Sequence, residues 1–246
     1  MILDIYKDSL EYSAKDWKTL VILGVICLFS VLLLPIFLIA GYNYRVINTA
    51  VHGVINGRDP LPNFDDIIDM FVDGCKVVII QILYLLVPVI IFMLFVAISS
   101  SLNGVLASAI MIIGCLITFA LTVVACLMSQ MGMCHMAHND GAFSKAFEVK
   151  EIKKAIDDIG WFNCIITYLG LIIITIVISS VVSAIIFAIF TLFGISGSLL
   201  GVGTSGTSAI FIVGALINSL VTMFIVGPYL SIFNARSIGL LYTMQI

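Results

Sequence analysis

The sequence predicts an all-α, polytopic helical membrane protein with six transmembrane helices, arranged as three hairpin repeats with cytoplasmic amphipathic helices. Of its 246 residues, 62% are hydrophobic and only 10% are charged, too little charge to cover the surface of a soluble domain. The apolar runs are continuous rather than alternating, which favours spanning helices over a membrane β-barrel. Residues 19–44, 77–139 and 159–235 contain no Lys, Arg, Asp or Glu. The two longer gaps each have room for two spans of about 20 residues.

The positions of the basic residues predict the orientation of the chain. Lys and Arg are confined to the N-terminal segment, to residues 45–76 and 145–154, and to Arg236. By the positive-inside rule these clusters face the cytoplasm, so six spans place both termini inside. We therefore expect a multi-pass protein of the cell membrane whose first span is an uncleaved anchor. Five spans, with the N-terminus outside, are the alternative. The net charge of −3 argues against a nucleic-acid partner.

The first apolar segment leaves two alternatives open. Residues 2–16 have the pattern of a short interfacial helix, and Trp17 stands where an aromatic residue of the membrane interface is expected. The run that follows, residues 19–41, is long enough for one crossing but short for two. Pro35 in its middle either kinks a single spanning helix or begins the second half of a tight hairpin.

A turn and an amphipathic helix are predicted next. Residues 53–62 contain two glycines and two prolines, which indicates a turn region, and Asn63 is then the expected N-cap. After Asn63, apolar residues recur at steps of three and four with aspartates on the opposite face, which predicts a helix that lies along the membrane surface or docks under the bundle. The residues of this helix expected to face a partner are Phe64, Ile68 and Phe71.

The rest of the chain is predicted to form two hairpins separated by a second surface helix. The predicted spans are residues 77–98, 105–131, 161–193 and 209–233. The second surface helix is predicted within residues 143–159, and its apolar face is clearest at Ile152, Ala155, Ile156 and Ile159.

A threefold internal repeat is predicted within this single transmembrane domain, with units at residues 1–57, 58–141 and 142–246. Each unit has an asparagine seven residues, or two helical turns, after a glycine, so that both lie on one helix face. Glycine permits close helix approach and asparagine can bond to a neighbouring helix, which predicts packing between repeats. The pairs are Gly41 with Asn48, Gly132 with Asn139, and Gly227 with Asn234.

Three motifs in the first half of the chain resemble the signature of an uncharacterised archaeal membrane family, domain of unknown function 4013. The motifs are Gly41-Tyr42-x-x-Arg45-Val46, then Gly57-x-x-Pro60-Leu61-Pro62-x-Phe64-Asp65-Asp66, then Phe71-x-Asp73-Gly74. The later Ile159-Gly160-Trp161 entry into a span is also similar. The resemblance covers most of the chain and implies an archaeal plasma-membrane location. It implies no activity, ligand or catalytic residue.

Two arginines at span ends are candidates for an anion or lipid-headgroup site. An arginine inside a helical bundle is costly, so Arg45 and Arg236 are functional candidates if they converge below the bundle. The tyrosines expected beside them are Tyr42, Tyr44 and Tyr229. The alternatives are that the arginines extend to water or lipid headgroups, or pair with acidic residues of the surface helices.

No metal, cofactor or catalytic residue is predicted. Cys134, His135 and His138 are the densest group of metal-ligand types, but zinc needs further ligands, such as His52 or Cys164 from another repeat. Residues 201–206 match the dinucleotide fingerprint without the strand and acidic residue it requires. The same stretch resembles the serine motif of rhomboid-type intramembrane proteases, yet no histidine follows His138 to act as base. The six cysteines are expected to be free thiols.

These observations favour a non-enzymatic membrane component that engages lipid or a protein partner, in a hetero- or homo-oligomer. The alternative is a transporter or channel for a small molecule or ion, because prolines within spans can expose backbone to a ligand. Such a path needs polar residues at mid-depth. The candidates are Gln81, Ser108, Thr118, Thr122, Thr175, Ser179, Ser180 and Asn218.

Overall fold

The computed structural model describes residues 2–29, 34–57, 59–199 and 204–245, and within these ranges it contains helices and no strands. This confirms the all-α prediction. Short 3-10 turns occupy residues 143–147 and 243–245. The helices are α1 (Ile2–Ser13), α2 (Trp17–Leu28), α3 (Leu34–Val51), α4 (Ile67–Ser100), α5 (Val105–His138), α6 (Val149–Ile159), α7 (Trp161–Leu199), α8 (Thr204–Val221) and α9 (Gly227–Tyr242).

Within the described residues, four stretches are long and apolar enough to cross a membrane: α4, α5, α7 and the run Ser208–Tyr242. A π-helical turn at Thr222–Val226 joins α8 to α9, and the N–H of Gly227 reaches back to the carbonyl of Thr222. Pro228, at the start of α9, explains this turn, because proline cannot donate to the preceding helical ladder.

The first hairpin is shorter than the six-span prediction requires. Helix α2 has 12 residues and α3 has 18, and at about 1.5 Å per residue α2 falls well short of a hydrocarbon core of about 30 Å. The prediction of six spans is therefore not confirmed. Asp16 caps α2 by accepting from the N–H groups of Lys18 and Thr19, and the hydroxyl of Thr19, at 2.8 Å, is the main cause that lowers the pKa of Asp16.

The predicted surface helix after Asn63 is wrong in its boundaries. Residues 63–66 are not helical, and α4 begins at Ile67, directly after Asp66 in the left-handed region with φ 51°. Asn63 is therefore not the N-cap. Residues 67–76, which include Asp69, Asp73 and Lys76, are the first turns of α4 itself, which continues without interruption into the apolar span.

Close backbone contacts join the hairpins. A Cβ at Gly74 of α4 would overlap the carbonyl oxygen of Phe37, and a Cβ at Gly41 of α3 would overlap that of Met70, so only glycine fits at either position. Phenylalanine side chains pack on glycines elsewhere: Phe95 on Gly114 between α4 and α5, and Phe190 on Gly214 and Phe211 on Gly194 between α7 and α8. Phe224 of the π-helical turn contacts Gly24 of α2, with its backbone carbonyl nearest, so this contact joins α2 to the third hairpin.

The buried core lies at the end of the bundle that carries the charged clusters. It is built from α1, α3, α6, α9 and the C-terminal part of α5. Toward the other end, the long helices expose apolar side chains, and in α7 none of the most apolar 18-residue window is buried inside the protein. Apolar surface of this extent is expected to face lipid.

Candidate functional site

Residues 59–66 form a loop that we call the signature loop. It is held by side chains from α1, from α3 and from the turn between α1 and α2. The hydroxyl of Tyr12 donates to the carbonyl of Pro60 at 2.9 Å, and that of Tyr42 donates to the carbonyl of Pro62 at 3.1 Å. Lys15 Nζ donates to the carbonyl of Asp59 at 3.0 Å. Pro60 and Pro62 have no N–H group, so the loop has fewer backbone donors of its own. Side chains from other segments donate to its carbonyls instead.

Arg45 completes this arrangement. Its Nη1 donates to the carbonyls of Asn63 at 3.1 Å and Asp65 at 2.6 Å, and its Nη2 donates to the carbonyl of Asp66 at 3.0 Å. Three carbonyls therefore converge on one guanidinium, which prevents residues 63–66 from entering the helix. Arg45, one of the two arginines predicted to bind an anion, is thus bound to the backbone of the signature loop.

Arg236 lies on the other side of the signature loop, fully buried between two carboxylates. Its Nε is 3.1 Å from Asp8 Oδ1 and its Nη2 is 2.9 Å from Asp59 Oδ2. The guanidinium carbon lies 4.5 Å from the centre of the Tyr12 ring. Burial is the main cause that raises the pKa of Tyr12 to about 12, with Asp59 and Asp8 adding to it and Arg236 opposing it. The second oxygen of Asp8 accepts from the N–H of Asn56.

The five residues predicted to bind an anion or headgroup do not form one pocket. Arg45 and Tyr42 hold the signature loop, Arg236 is paired with two acids, and Tyr229 donates to the carbonyl of Leu10 at 3.1 Å. Tyr44 is buried away from both arginines' partners, and its hydroxyl has no hydrogen-bond partner within the described part of the chain. The ion-pairing alternative thus describes the contacts of Arg236. Anion binding stays a prediction.

The predicted packing pairs differ from one another. Gly41 contacts the backbone of α4, and a Cβ at Gly132 would press on the carbonyl of Ala146, whereas Gly227 is close only to its own helix. The asparagines of the first two pairs do not bond to other helices in the hydrogen bonds observed: Asn48 is exposed and Asn139 donates to the carbonyl of His135. Asn234 reaches across to Thr175 Oγ1 at 3.5 Å.

Of the three residues predicted to face a partner, two pack against this chain and one is exposed. Phe64 stacks on Tyr42 with ring centroids 4.7 Å apart, and Phe71 meets Phe37 edge to face at 5.4 Å. Ile68, in contrast, is 79% exposed. Two of the three side chains therefore pack on this chain.

The three histidines of the chain lie near one another, at the C-terminal end of α9. His135 Nδ1 is 2.7 Å from the hydroxyl of Tyr242. The rings of His52 and His138 are stacked, with their centroids 6.2 Å apart. Across the part of the chain that the structure describes, no group of three or more His, Cys, Asp or Glu side chains is placed to hold a metal ion. Cys134 is fully buried and its thiol contacts the carbonyl of Ile238 at 3.7 Å.

Glu148 contacts this histidine group from outside. The pKa of Glu148 is lowered, chiefly by its hydrogen bond from Lys145 Nζ at 2.8 Å. Its other oxygen is 3.6 Å from His135 Nε2, which is beyond hydrogen-bond distance.

A cavity with amide side chains in its wall lies between α3, α4, α5 and α9. Its volume is about 390 Å³, within the usual range of ligand pockets, about 300–1,000 Å³. It lies where the charge-free part of α4 begins, at Val77. Its polar residues are Asn43, Tyr44, Gln81, Gln130, Ser231 and Asn234, and none of its lining residues is charged.

A second cavity, of about 270 Å³, lies on the α7 side of the same helices. Gln130, Asn234 and Ile238 line both cavities, so these three side chains form a shared wall between α5 and α9. Thr175, a predicted mid-depth residue, lines the second cavity, as Gln81 lines the first. Two buried atoms of residues that line the first cavity, Asn43 Oδ1 and the Tyr44 hydroxyl, have no hydrogen-bond partner among the described residues.

Sequence reasoning missed Asn43, Gln130 and Ser231 as cavity residues. Asn43 and Gln130 could have been found by listing every amide side chain inside the apolar helices, because such groups are costly in lipid. Their convergence could not be predicted without the helix packing. The glycine-rich residues 201–203, with the fingerprint and serine motifs that include them, lie outside the described residues.

Four helices long and apolar enough to cross a membrane are the feature of a helical membrane protein. The chain belongs to the family described as "Protein of unknown function (DUF4013)", whose family model matches residues 25–191. It is also 30% identical over 220 residues to "Uncharacterized protein MJ1189" of Methanocaldococcus jannaschii, covering 87% of this chain and 71% of that protein. The resemblance to an archaeal family is thereby confirmed. No solved structure matches the chain.

Proposed function

We propose that this protein is a non-enzymatic, multi-pass protein of the cell membrane that binds a small polar ligand inside its helical bundle, for transport or storage. The observation that carries the proposal is the shared wall of Gln130, Asn234 and Ile238 between two cavities. Amides in a charge-free bundle are expensive unless something bonds to them. The residues lining these two cavities include no carboxylate, histidine, cysteine or lysine, so their walls offer no general base.

The partner-binding alternative has less support from the contacts. The apolar face of α6 (Ile152, Ala155, Ile156 and Ile159) is buried in the core, and α1 packs along α9 through Ile5 and Tyr12. The faces predicted to engage a partner are thus largely covered by this chain. The exposed exception is Ile67 and Ile68 at the start of α4, which border an open hollow between Asp66 and Asp69. Membrane lipid or a protein partner at this point is the second candidate.

We also propose how the chain lies in the membrane: three hairpin repeats, of which the first, α2–α3, is too short to be complete. Support comes from glycine–phenylalanine contacts within the second and third hairpins, Phe95 on Gly114 and Phe190 on Gly214. The ion pair between Asp8 and Arg236 joins α1 to α9, which supports both ends of the chain on one side. The basic clusters predict that this side is cytoplasmic.

Native mass spectrometry after gentle extraction tests the ligand proposal. We expect the wild-type protein to retain a bound small molecule or lipid, and the variant Q130L/N234L to lose it. Asn163→Leu is the matched control, because Asn163 is an amide on α7 that lines neither cavity and donates to the carbonyl of Ile159 at 2.8 Å. Equal retention by both variants would refute the proposal. A stoichiometric second protein lost on Ile68→Ser would favour the second candidate.

A further inference from the structure

We infer that the ligand of these cavities is an uncharged molecule or headgroup rich in hydroxyl groups, such as a polyol or a sugar; this inference rests on the proposed function. The first step concerns charge. None of the residues lining the two cavities is ionisable at neutral pH, so an ionic ligand there would have no counter-charge in a low-dielectric bundle.

The nearest cation along α9 does not alter this conclusion. Arg236 follows Ala235, which lines the first cavity, but Arg236 itself lines neither cavity, and Nε and Nη2 of its guanidinium are bound by Asp8 and Asp59. Its Nη1 is buried and has no hydrogen-bond partner among the described residues. Counting formal charges, one arginine against two aspartates leaves that network at −1, so it does not supply an anion site.

The second step concerns hydrogen-bond type. Each amide of the wall offers both N–H donors and a carbonyl acceptor, and the hydroxyls of Tyr44 and Ser231 can do both. Ser231 uses its donor on the carbonyl of Pro228, which leaves an acceptor. A carboxylate or a phosphodiester only accepts and an ammonium only donates. A hydroxyl group does both, so a polyol matches each of these polar side chains.

The third step concerns two buried polar atoms that have no hydrogen-bond partner among the described residues. Asn43 Oδ1 needs a donor, and the Tyr44 hydroxyl, on a residue 4% exposed, needs a partner of either kind. Both residues lie on α3, one position apart, on the first cavity. A hydroxyl group of the ligand could donate to Asn43 Oδ1, and another could bond to the Tyr44 hydroxyl. These two residues are therefore assigned as ligand contacts.

Two neighbouring tyrosines give a matched test. Tyr42 donates to the signature loop and does not line the cavity, whereas Tyr44 lines the cavity and donates to no protein atom. Tyr44→Phe is therefore expected to keep the stability of the apoprotein and to lower ligand affinity by about fivefold or more, the equivalent of one hydrogen bond. Tyr42→Phe is expected to lower stability and leave affinity unchanged.

The probes are tritium-labelled glucose and octyl glucoside, with inorganic phosphate, octyl phosphate and octyltrimethylammonium as charged counterparts, on protein held in a detergent without a sugar headgroup. Binding of the neutral probes, weakened by Y44F and not by Y42F, supports the inference. Binding of glucose indicates a free solute, and binding of octyl glucoside alone indicates a lipid headgroup. If a charged probe binds more tightly and is lost in Q130L/N234L, the inference on charge fails while the proposed function stands. If no probe distinguishes Q130L/N234L from N163L, both fail.

Discussion

Removing the guanidinium of Arg236 is the most decisive test of the structure outside the cavities. The side chain of Arg236 is 0% exposed and that of Asp8 is 4% exposed, so Arg236→Met leaves a buried carboxylate without its partner. Breaking such a buried pair typically costs about 3–5 kcal/mol. The Asp59 side chain is 30% exposed, so solvent screening limits the cost of Asp59→Asn to about 1 kcal/mol or less.

The assay is reversible unfolding in mixed micelles, followed by the fluorescence of the two tryptophans. We expect the order of destabilisation R236M, then D8N, then D59N. The double variant R236M/D8N should be more stable than the sum of the single losses predicts, because the two side chains are coupled. A loss below about 1 kcal/mol for R236M, or a larger loss for D59N than for D8N, would refute the burial-based reasoning.

Three further predictions concern the loops and helix contacts. Gly74→Ala should prevent close packing of α3 on α4, because the added Cβ would overlap the carbonyl of Phe37. Unfolding measurements should therefore show a loss of stability. Gly227→Ala is the control and should show no comparable loss, because its Cβ meets only its own helix. Arg45→Met removes three bonds to the signature loop at roughly 1–2 kcal/mol in total, and limited proteolysis should show faster cleavage within residues 59–66. Asp16→Ala should destabilise α2 at neutral pH, as measured by hydrogen exchange. Because hydrogen bonds lower the pKa of Asp16 below 3.8, its stabilisation is present above that pH and is lost as the pH falls through the lower, folded-state pKa; an exchange difference that persists under acid conditions would contradict this.

The sequence allowed the all-helical class, the second and third hairpins and the family to be predicted. Continuous apolar runs and charge-free gaps depend on local composition, which a single sequence contains in full. The α4 boundary was missed because a side chain 18 residues or more away, Arg45, binds the carbonyls of residues 63–66. Local capping rules do not include such contacts.

The ion pairs and the cavities could not be predicted, for a related reason. Periodicity assigns a residue to a helix face but does not say which helix covers that face. Arg236 was a candidate for an anion site because its partner, Asp8, is 228 residues away in the sequence. Gln130 and Asn234 likewise meet only through the packing of α5 beside α9. The short α2 was equally hidden, because a run of apolar residues does not show where its helix ends.

The pair of Asp8 and Arg236 has a consequence for biosynthesis. At synthesis rates of about 5–20 residues per second, Asp8 is made roughly 10–45 s before Arg236 leaves the ribosome. During that interval the carboxylate of Asp8 on α1 has no arginine partner, so it remains in water. Docking of α1 is therefore a late event that follows insertion of α9. A chain whose last helix fails to insert would keep α1 undocked and its apolar face accessible to proteases at the membrane.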